Sequence, residues 1–419
     1  MKSPLLLFLI LSIGLNADTT VNTSSGVVNG VIKNKVISWQ DIPYAHPPID
    51  NLRWKAPREL INPGTIIKPK KNNFCIQKTS SLGGSSQFSF EKISGTEDCL
   101  YLDIFAPKKI SDKPLPVMFW IHGGGNTSGL KDLYDFSKMV KRHNVILVRI
   151  NYRLGPFGWF THPAIQGLQN GIDKTSNFGT LDIIQALKWV QKNILLFGGD
   201  PQNVTIFGES AGGHNVYSLI ASKKAEGLFH KAIAMSGYTT SISPQQAYKQ
   251  NKLSSTSDYT SFNVVNRLSE KEKLNSNIEI RNFLLSLEAN DFFEDYSNRY
   301  SYQELPLLTA DNIVIPEIGL QESLSNRDLI NNVPIISGSN HDEVKLWLAT
   351  AEYFVDLKYS FAGSILDIPK VALKDEDAFE AFNYYRSSAW KIRGVDEPIK
   401  SLAKSGNNRI YSYRFDWDD

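Results

Sequence analysis

Apolar positions recur along the chain with two different periods. Residues 117–121 (VMFWI) and 145–150 (VILVRI) are short, apolar and rich in β-branched or aromatic side chains, the composition of strands buried on both faces. Between residues 181 and 194 the apolar positions Ile183, Leu187, Val190 and Ile194 recur every three or four residues, which lines them along one face of a helix. That helix leads through Phe197, Gly198, Gly199, Asp200 and Pro201 into a strand-like run at 204–207, followed by a helical segment at 211–221. Residues 333–336 predict another buried strand. At 410–415 (IYSYRF) Tyr411, Tyr413 and Phe415 share one face, which predicts a further one. Strands alternating with helices predict an α/β fold, a mostly parallel central sheet with helices on both faces. Residues 252–302 are rich in Ser, Asn, Glu and Lys with helical patches such as 280–287. They read as a helical and loop insertion above the sheet rather than an independent domain, because few positions could build a second core.

Composition narrows this picture. With 419 residues and 42% hydrophobic residues the chain can fill one large sheet domain. Its 45 basic and 43 acidic residues leave no electrostatic footprint for nucleic acid. The N-terminus places Lys2 before an apolar run from Leu5 to Ile13, then Gly14 and small or polar residues to Ala17. This is the layout of an export signal, so residues 1–17 are expected to be removed and 18–419 to form a single secreted or periplasmic domain. No later run has the length for a membrane span. Cys75 and Cys99 are the only cysteines. In an exported protein such a pair reads as a disulfide rather than a zinc site, which would need four ligands; two buried free thiols are the other reading. No cofactor or metal is implied.

The chemistry concentrates at Gly208, Glu209, Ser210, Ala211 and Gly212, a G-x-S-x-G pattern between the strand-like run at 204–207 and the helix at 211–221. That context is the nucleophile elbow, in which a serine projects from a tight, strained strand-to-helix turn. His122, Gly123, Gly124 and Gly125 directly follow the predicted strand at 117–121. A glycine run there can offer backbone N–H groups to a developing oxyanion with no side chain in the way. Acyl transfer also needs a base and an acid to orient it.

Seven segments carry a resemblance over the whole mature chain: DIPYAHPP, LRWKAP, EDCLYLDIFAP, WIHGGG, NYRLGPFGW, WVQKNILLFGGDPQNVTIFGESAGG and SGSNHDEV. With these the chain resembles the type-B carboxylesterases, the cholinesterase-like α/β hydrolases. The resemblance implies the α/β-hydrolase fold and hydrolysis of a small-molecule carboxylic ester. It implies Ser210 as nucleophile, Gly124, Gly125 and the N–H of Ala211 as the oxyanion hole, and Cys75 to Cys99 as a disulfide. Glu343 is the implied acid, with Asp342 as its rival, and Ser236 matches a buried serine beside the site. Glu209 is expected to join a buried hydrogen-bond network. The chain departs from the pattern at the base. The family's catalytic histidine follows the strand matched by 410–415, and the seven histidines here are His46, His122, His143, His162, His214, His230 and His341. None is expected to replace it, so the C-terminal part of the fold is expected to be missing, with apolar surface bared and little esterase turnover left. A non-catalytic binding or adhesion protein on a hydrolase fold is the alternative. Between Cys75 and Cys99 there is no tryptophan, only Phe88 and Phe90 as aromatic rings, which disfavours a choline ester.

Overall fold

A computed structural model describes residues 19–79, 92–109, 113–249, 260–297, 308–349, 351, 353–358 and 370–416. Its centre is a nine-stranded sheet of β1 (Val31–Lys33), β2 (Val36–Pro43), β3 (Tyr101–Pro107), β4 (Leu115–Ile121), β5 (Ile146–Ile150), β6 (Gly199–Glu209), β7 (Lys231–Met235), β8 (Ile335–Asn340) and β9 (Ile410–Phe415). The spatial order is β9-β8-β7-β6-β4-β5-β3-β2-β1. The six strands from β9 to β5 are mutually parallel, while β3, β2 and β1 continue the sheet antiparallel. This is the expected architecture.

The buried strands are those whose sequences are apolar without interruption. All five residues of β5 are buried, and Val117, Phe119 and Ile121 of β4 are fully inaccessible. Strand β6 starts five residues earlier than its apolar run, because Gly199 already pairs with Leu115 before a register shift resumes at Val204. The expected strand at 333–336 lies instead at Ile335–Asn340, since Ser337, Gly338 and Ser339 are buried in the sheet despite their polarity.

Helix α1 (Ser137–His143) lies on one face of the sheet; α2 (Phe178–Asn193) and α3 (Ala211–Ile220) belong to the main core. Ile183, Leu187 and Val190 point inward as their spacing requires, yet α2 is buried almost all round, Asp182 and Thr180 included. Asp182 is tolerated there because Arg153 forms a two-point ion pair with it at 2.7 and 2.8 Å.

The insertion contributes α4 (Ser261–Leu268), α5 (Asn277–Ser286) and α6 (Ala289–Ser297); residues 252–259 and 298–302 of it lie outside the described residues. Val264, Val265, Leu284, Phe292 and Phe293 do find a second apolar core, and they find it against Trp54, Phe157 and Phe160 of the body. Trp54 meets Phe160 at 5.0 Å and Phe292 at 5.2 Å between ring centroids. The insertion is thus held by aromatic packing shared with the rest of the chain.

Across the sheet runs the row Trp120, Phe207, Ile233, Ile336, Tyr411, one residue from each of β4, β6, β7, β8 and β9. At its β4 end α1 and Phe136 cover it. At the β9 end Ile336 is 39%, Tyr411 63% and Phe415 52% exposed. Apolar side chains are therefore exposed at this end of the row.

Candidate active site

Parallel strands that end at the same level bring their carboxyl-end loops together. Ile121 of β4 is in register with Gly208 of β6, Glu209 with Met235 of β7, and Met235 with Gly338 of β8. The residues following these ends are His122–Gly125, Ser210, Ser236 and Glu343.

Ser210 sits at φ 57° and ψ −119°, between the last residue of β6 and the first of α3. A side chain rarely adopts that backbone conformation, and the neighbours enforce it here. The Ser210 N–H donates to the Met235 carbonyl at 2.8 Å, and its carbonyl accepts from the His214 N–H at 3.0 Å. A Cβ at Gly212 would lie 2.1 Å from the Ile121 oxygen, and one at Gly208 would lie 2.5 Å from the Gly212 carbonyl carbon. Both elbow glycines are thus demanded by backbone crowding. The glycine run approaches from the other side: a Cβ at Gly123 would fall 2.8 Å from the Glu209 carbonyl oxygen and 3.3 Å from the Ser210 Cβ. Gly124 and Gly125 have φ +99° and +63°. Ala211 is the first residue of α3, where backbone N–H groups lack intrahelical partners.

Glu343 stands on the loop after β8. One carboxylate oxygen accepts from the Ser236 hydroxyl at 2.9 Å and from the Asn340 N–H at 2.7 Å. Asp342 turns outward instead, to His341 at 3.2 Å and to Asn383 of α7 (Glu376–Lys391) at 2.7 Å. The Ser236 turn is itself clamped. Its N–H donates to Gly338, its carbonyl accepts from the Trp390 indole at 3.0 Å, and Gly237 packs backbone to backbone on Gly213 of α3. Gly394, in a π-helical turn at Ile392–Asp396, also rests on the Gly237 carbonyl, and its own carbonyl accepts from Tyr217 at 2.9 Å. The sequence gives no local sign of this clamp.

Glu209 does not fit the expectation of a hydrogen-bond network, for its carboxylate has no hydrogen-bond partner among the described residues. Burial and the nearby charge of Glu343 push it up to about 7. Burial also raises Glu343, against the hydrogen bonds from Asn340 and Ser236 that lower it. The phenol of Tyr413 is raised by burial and by both carboxylates.

All seven histidines are described, and none is hydrogen-bonded to Ser210 or Glu343. His122 is buried, stacks on Tyr152 at 4.4 Å, and has Nδ1 2.8 Å from the Gly123 carbonyl. His214 is buried against Tyr238 with Nε2 2.9 Å from the Thr240 carbonyl. Burial pushes both down to about 4, so they are neutral at pH 7. His162 accepts from Ala164 at the start of a short helix, and His230 accepts from Val204. His46 and His143 are exposed, as is His341, which pairs with Asp342.

Cys75 and Cys99 are joined in a disulfide, with Cα atoms 4.9 Å apart, and there are no free cysteines. Phe88 and Phe90 lie outside the described residues, as do residues 1–17. Among the described residues no cluster of His, Cys, Asp and Glu could hold a metal, and no helix is long and apolar enough to cross a membrane.

Residues 17–386 match the model of the carboxylesterase family. A para-nitrobenzyl esterase of Bacillus subtilis (strain 168) is 43% identical over 230 residues, 54% of this chain and 45% of that protein. A liver carboxylesterase of Sus scrofa is 34% identical over 412 residues, 91% of this chain and 68% of its own length. Among solved structures a PNB esterase superposes with a TM-score of 0.76 at 28% identity, covering 96% of this chain and 79% of that one. Several of the curated relatives are matched over only about half of their length.

Proposed function

The chain belongs to the carboxylesterase family, and we propose that its site is that of a carboxylic ester hydrolase using Ser210 as nucleophile, Glu343 as orienting acid, and the N–H groups of Gly124, Gly125 and Ala211 as the oxyanion hole. The observation that carries this reading is the strained Ser210, held where Gly123 crosses it and α3 begins, with Glu343 anchored one strand end further by Ser236. A negative oxygen forming on an acyl carbon bonded to Ser210 would meet donors from both sides. Glu343 is preferred to Asp342 because Asp342 is committed to Asn383 and His341 on the outer face. The substrate is a small-molecule carboxylic ester. The Cys75–Cys99 disulfide fits an oxidising compartment, which supports reading residues 1–17 as an export signal.

None of the seven histidines stands between Ser210 and Glu343, so the 419-residue polypeptide by itself lacks the base that would take the serine proton. Loss of an essential member of such a triad costs on the order of 10⁶ in kcat. The test is hydrolysis of a short-chain p-nitrophenyl ester by this polypeptide, with and without millimolar imidazole as a base from solution. Turnover is expected to be slight alone and to rise with imidazole above the level given by Ser210→Ala at the same imidazole concentration, which reports hydrolysis that does not pass through Ser210. A wild-type curve that superposes on that of Ser210→Ala sinks the esterase reading. Fast turnover without imidazole sinks the claim that the base is lacking and directs attention to His214 and His122.

A further inference from the structure

Three successive glycines give the loop 123–125 no side chains with which to hold its own position, and each glycine adds backbone freedom. Its ends are nevertheless tied to one buried polar group. At the far end Asn126 is fully buried at φ 59°, and its side-chain oxygen accepts from the Asn215 amide at 2.8 Å. Asn215 belongs to α3, five residues beyond Ser210, and is also fully buried. The Asn126 carbonyl accepts from the Gly155 N–H at 2.7 Å. At the near end the Tyr152 hydroxyl donates to the His122 carbonyl at 2.7 Å and lies 3.3 Å from the Asn126 side-chain oxygen, while its ring stacks on His122. The glycine loop is therefore bracketed by Asn126 and His122, and both brackets close on Tyr152 and the nucleophile helix.

This arrangement is expensive as packing. Among the described residues, Asn215 keeps a buried side-chain oxygen without a hydrogen-bond partner, and His122 keeps a buried Nε2 in the same condition. Apolar residues of similar volume would fill the space without that cost. What the amides supply and apolar residues cannot is direction: a hydrogen bond fixes distance and angle between the loop and α3, where Ser210 is mounted.

We propose that Asn126 and Asn215 form a clasp that sets the position of the Gly124 and Gly125 N–H groups relative to Ser210, with Tyr152 holding the other end of the loop. These are positioning residues, and they act through the backbone donors. The proposal rests on the reading of Gly124 and Gly125 as the oxyanion hole.

The experiment is hydrogen exchange, read by mass spectrometry on the 419-residue polypeptide, in the peptide covering 122–128. Asn215→Ala and Asn126→Ala are each expected to speed exchange there about tenfold while leaving peptides of β5 and α2 unchanged. The double variant should exchange no faster than Asn126→Ala alone, because that variant already removes the bond the two residues share. Asn215→Ser, which keeps a donor, should recover part of the protection. If Asn215→Ala fails to fold, Tyr152→Phe, which removes only the hydroxyl, should still loosen the same peptide. Unchanged exchange at 122–128 in these variants overturns the clasp, and so does a rise spread equally over the sheet. Imidazole-assisted turnover reads the catalytic consequence separately: kcat should fall about tenfold in Asn215→Ala with KM held. If kcat is unmoved while exchange at 122–128 rises, the clasp stands and its link to the oxyanion hole fails. If the wild type shows no assisted turnover, the hydrolase reading fails while exchange still decides the clasp.

Discussion

Replacing Glu209 by glutamine should remove a pH dependence of stability that the site builds in. Glu209 ends β6 next to Ser210, without a hydrogen-bond partner among the described residues and with the Glu343 charge nearby. Burial and that charge move its pKa from 4.5 to about 7. A carboxylate held above its unfolded value binds its proton more tightly in the folded state. Its contribution is therefore fully favourable below pH 4.5, is lost as pH rises toward 7, and stays lost above. Two and a half pH units at 1.36 kcal/mol each set a ceiling of about 3.4 kcal/mol. Glu209 is only partly buried, and solvent screening reduces the expected effect to about 1–2 kcal/mol. The assay is urea unfolding of the parent and Glu209→Gln at several pH values from 4.5 to 8. The difference between them cancels titrations common to both. Glu209→Gln should gain on the parent as pH rises, most steeply between 5 and 7. Curves that stay parallel across this range would refute the claim that Glu209 is held near neutrality by burial beside Glu343.

Other consequences can be read from the same structure. Gly212→Ala drives a Cβ to 2.1 Å from the Ile121 oxygen and should cost about 3 kcal/mol or more in urea unfolding, because only backbone can yield. Gly64→Ala, at φ +84° with nothing within 4 Å, should cost only about 1 kcal/mol and serves as its control. Removing the Cys75–Cys99 disulfide by paired serine substitution should cost ~3 kcal/mol for a loop of 24 residues, measured by the shift in urea midpoint under non-reducing conditions. The exposed rings of Tyr411 and Phe415 on edge strand β9 should make the 419-residue polypeptide self-associate. Tyr411→Lys with Phe415→Lys should lower that association in light scattering across a concentration series, and a monodisperse parent would contradict the reasoning.

The elbow and glycine-loop motifs were legible because their physics is local. A strand, a serine between glycines and a helix can be recognised from spacing, and the crowding at Gly208 and Gly212 is why those positions bear no side chain. The glycine run after β4, the α/β alternation and the strand Ile410–Phe415 follow equally from periodicity within a few residues. Other features required the chain to fold back on itself. Asp342 and Glu343 are adjacent carboxylates, and only the packing of α7 on one side and the Ser236 turn on the other sends them in opposite directions. The raised proton affinity of Glu209 depends on burial that no window of sequence reports and on a second carboxylate 134 positions away. The insertion's polar composition hid a shared aromatic core, because half of that core, Trp54, Phe157 and Phe160, lies elsewhere in the chain. The same holds for the Asn126–Asn215 bond, which spans 89 positions. Sequence alone determined the strand–turn–helix elements and the candidate residues at their ends, since propensity and turn geometry act between neighbours. The tertiary structure decided how they are aimed and charged, since burial, cross-strand register and electrostatic coupling exist only once distant segments share the same space.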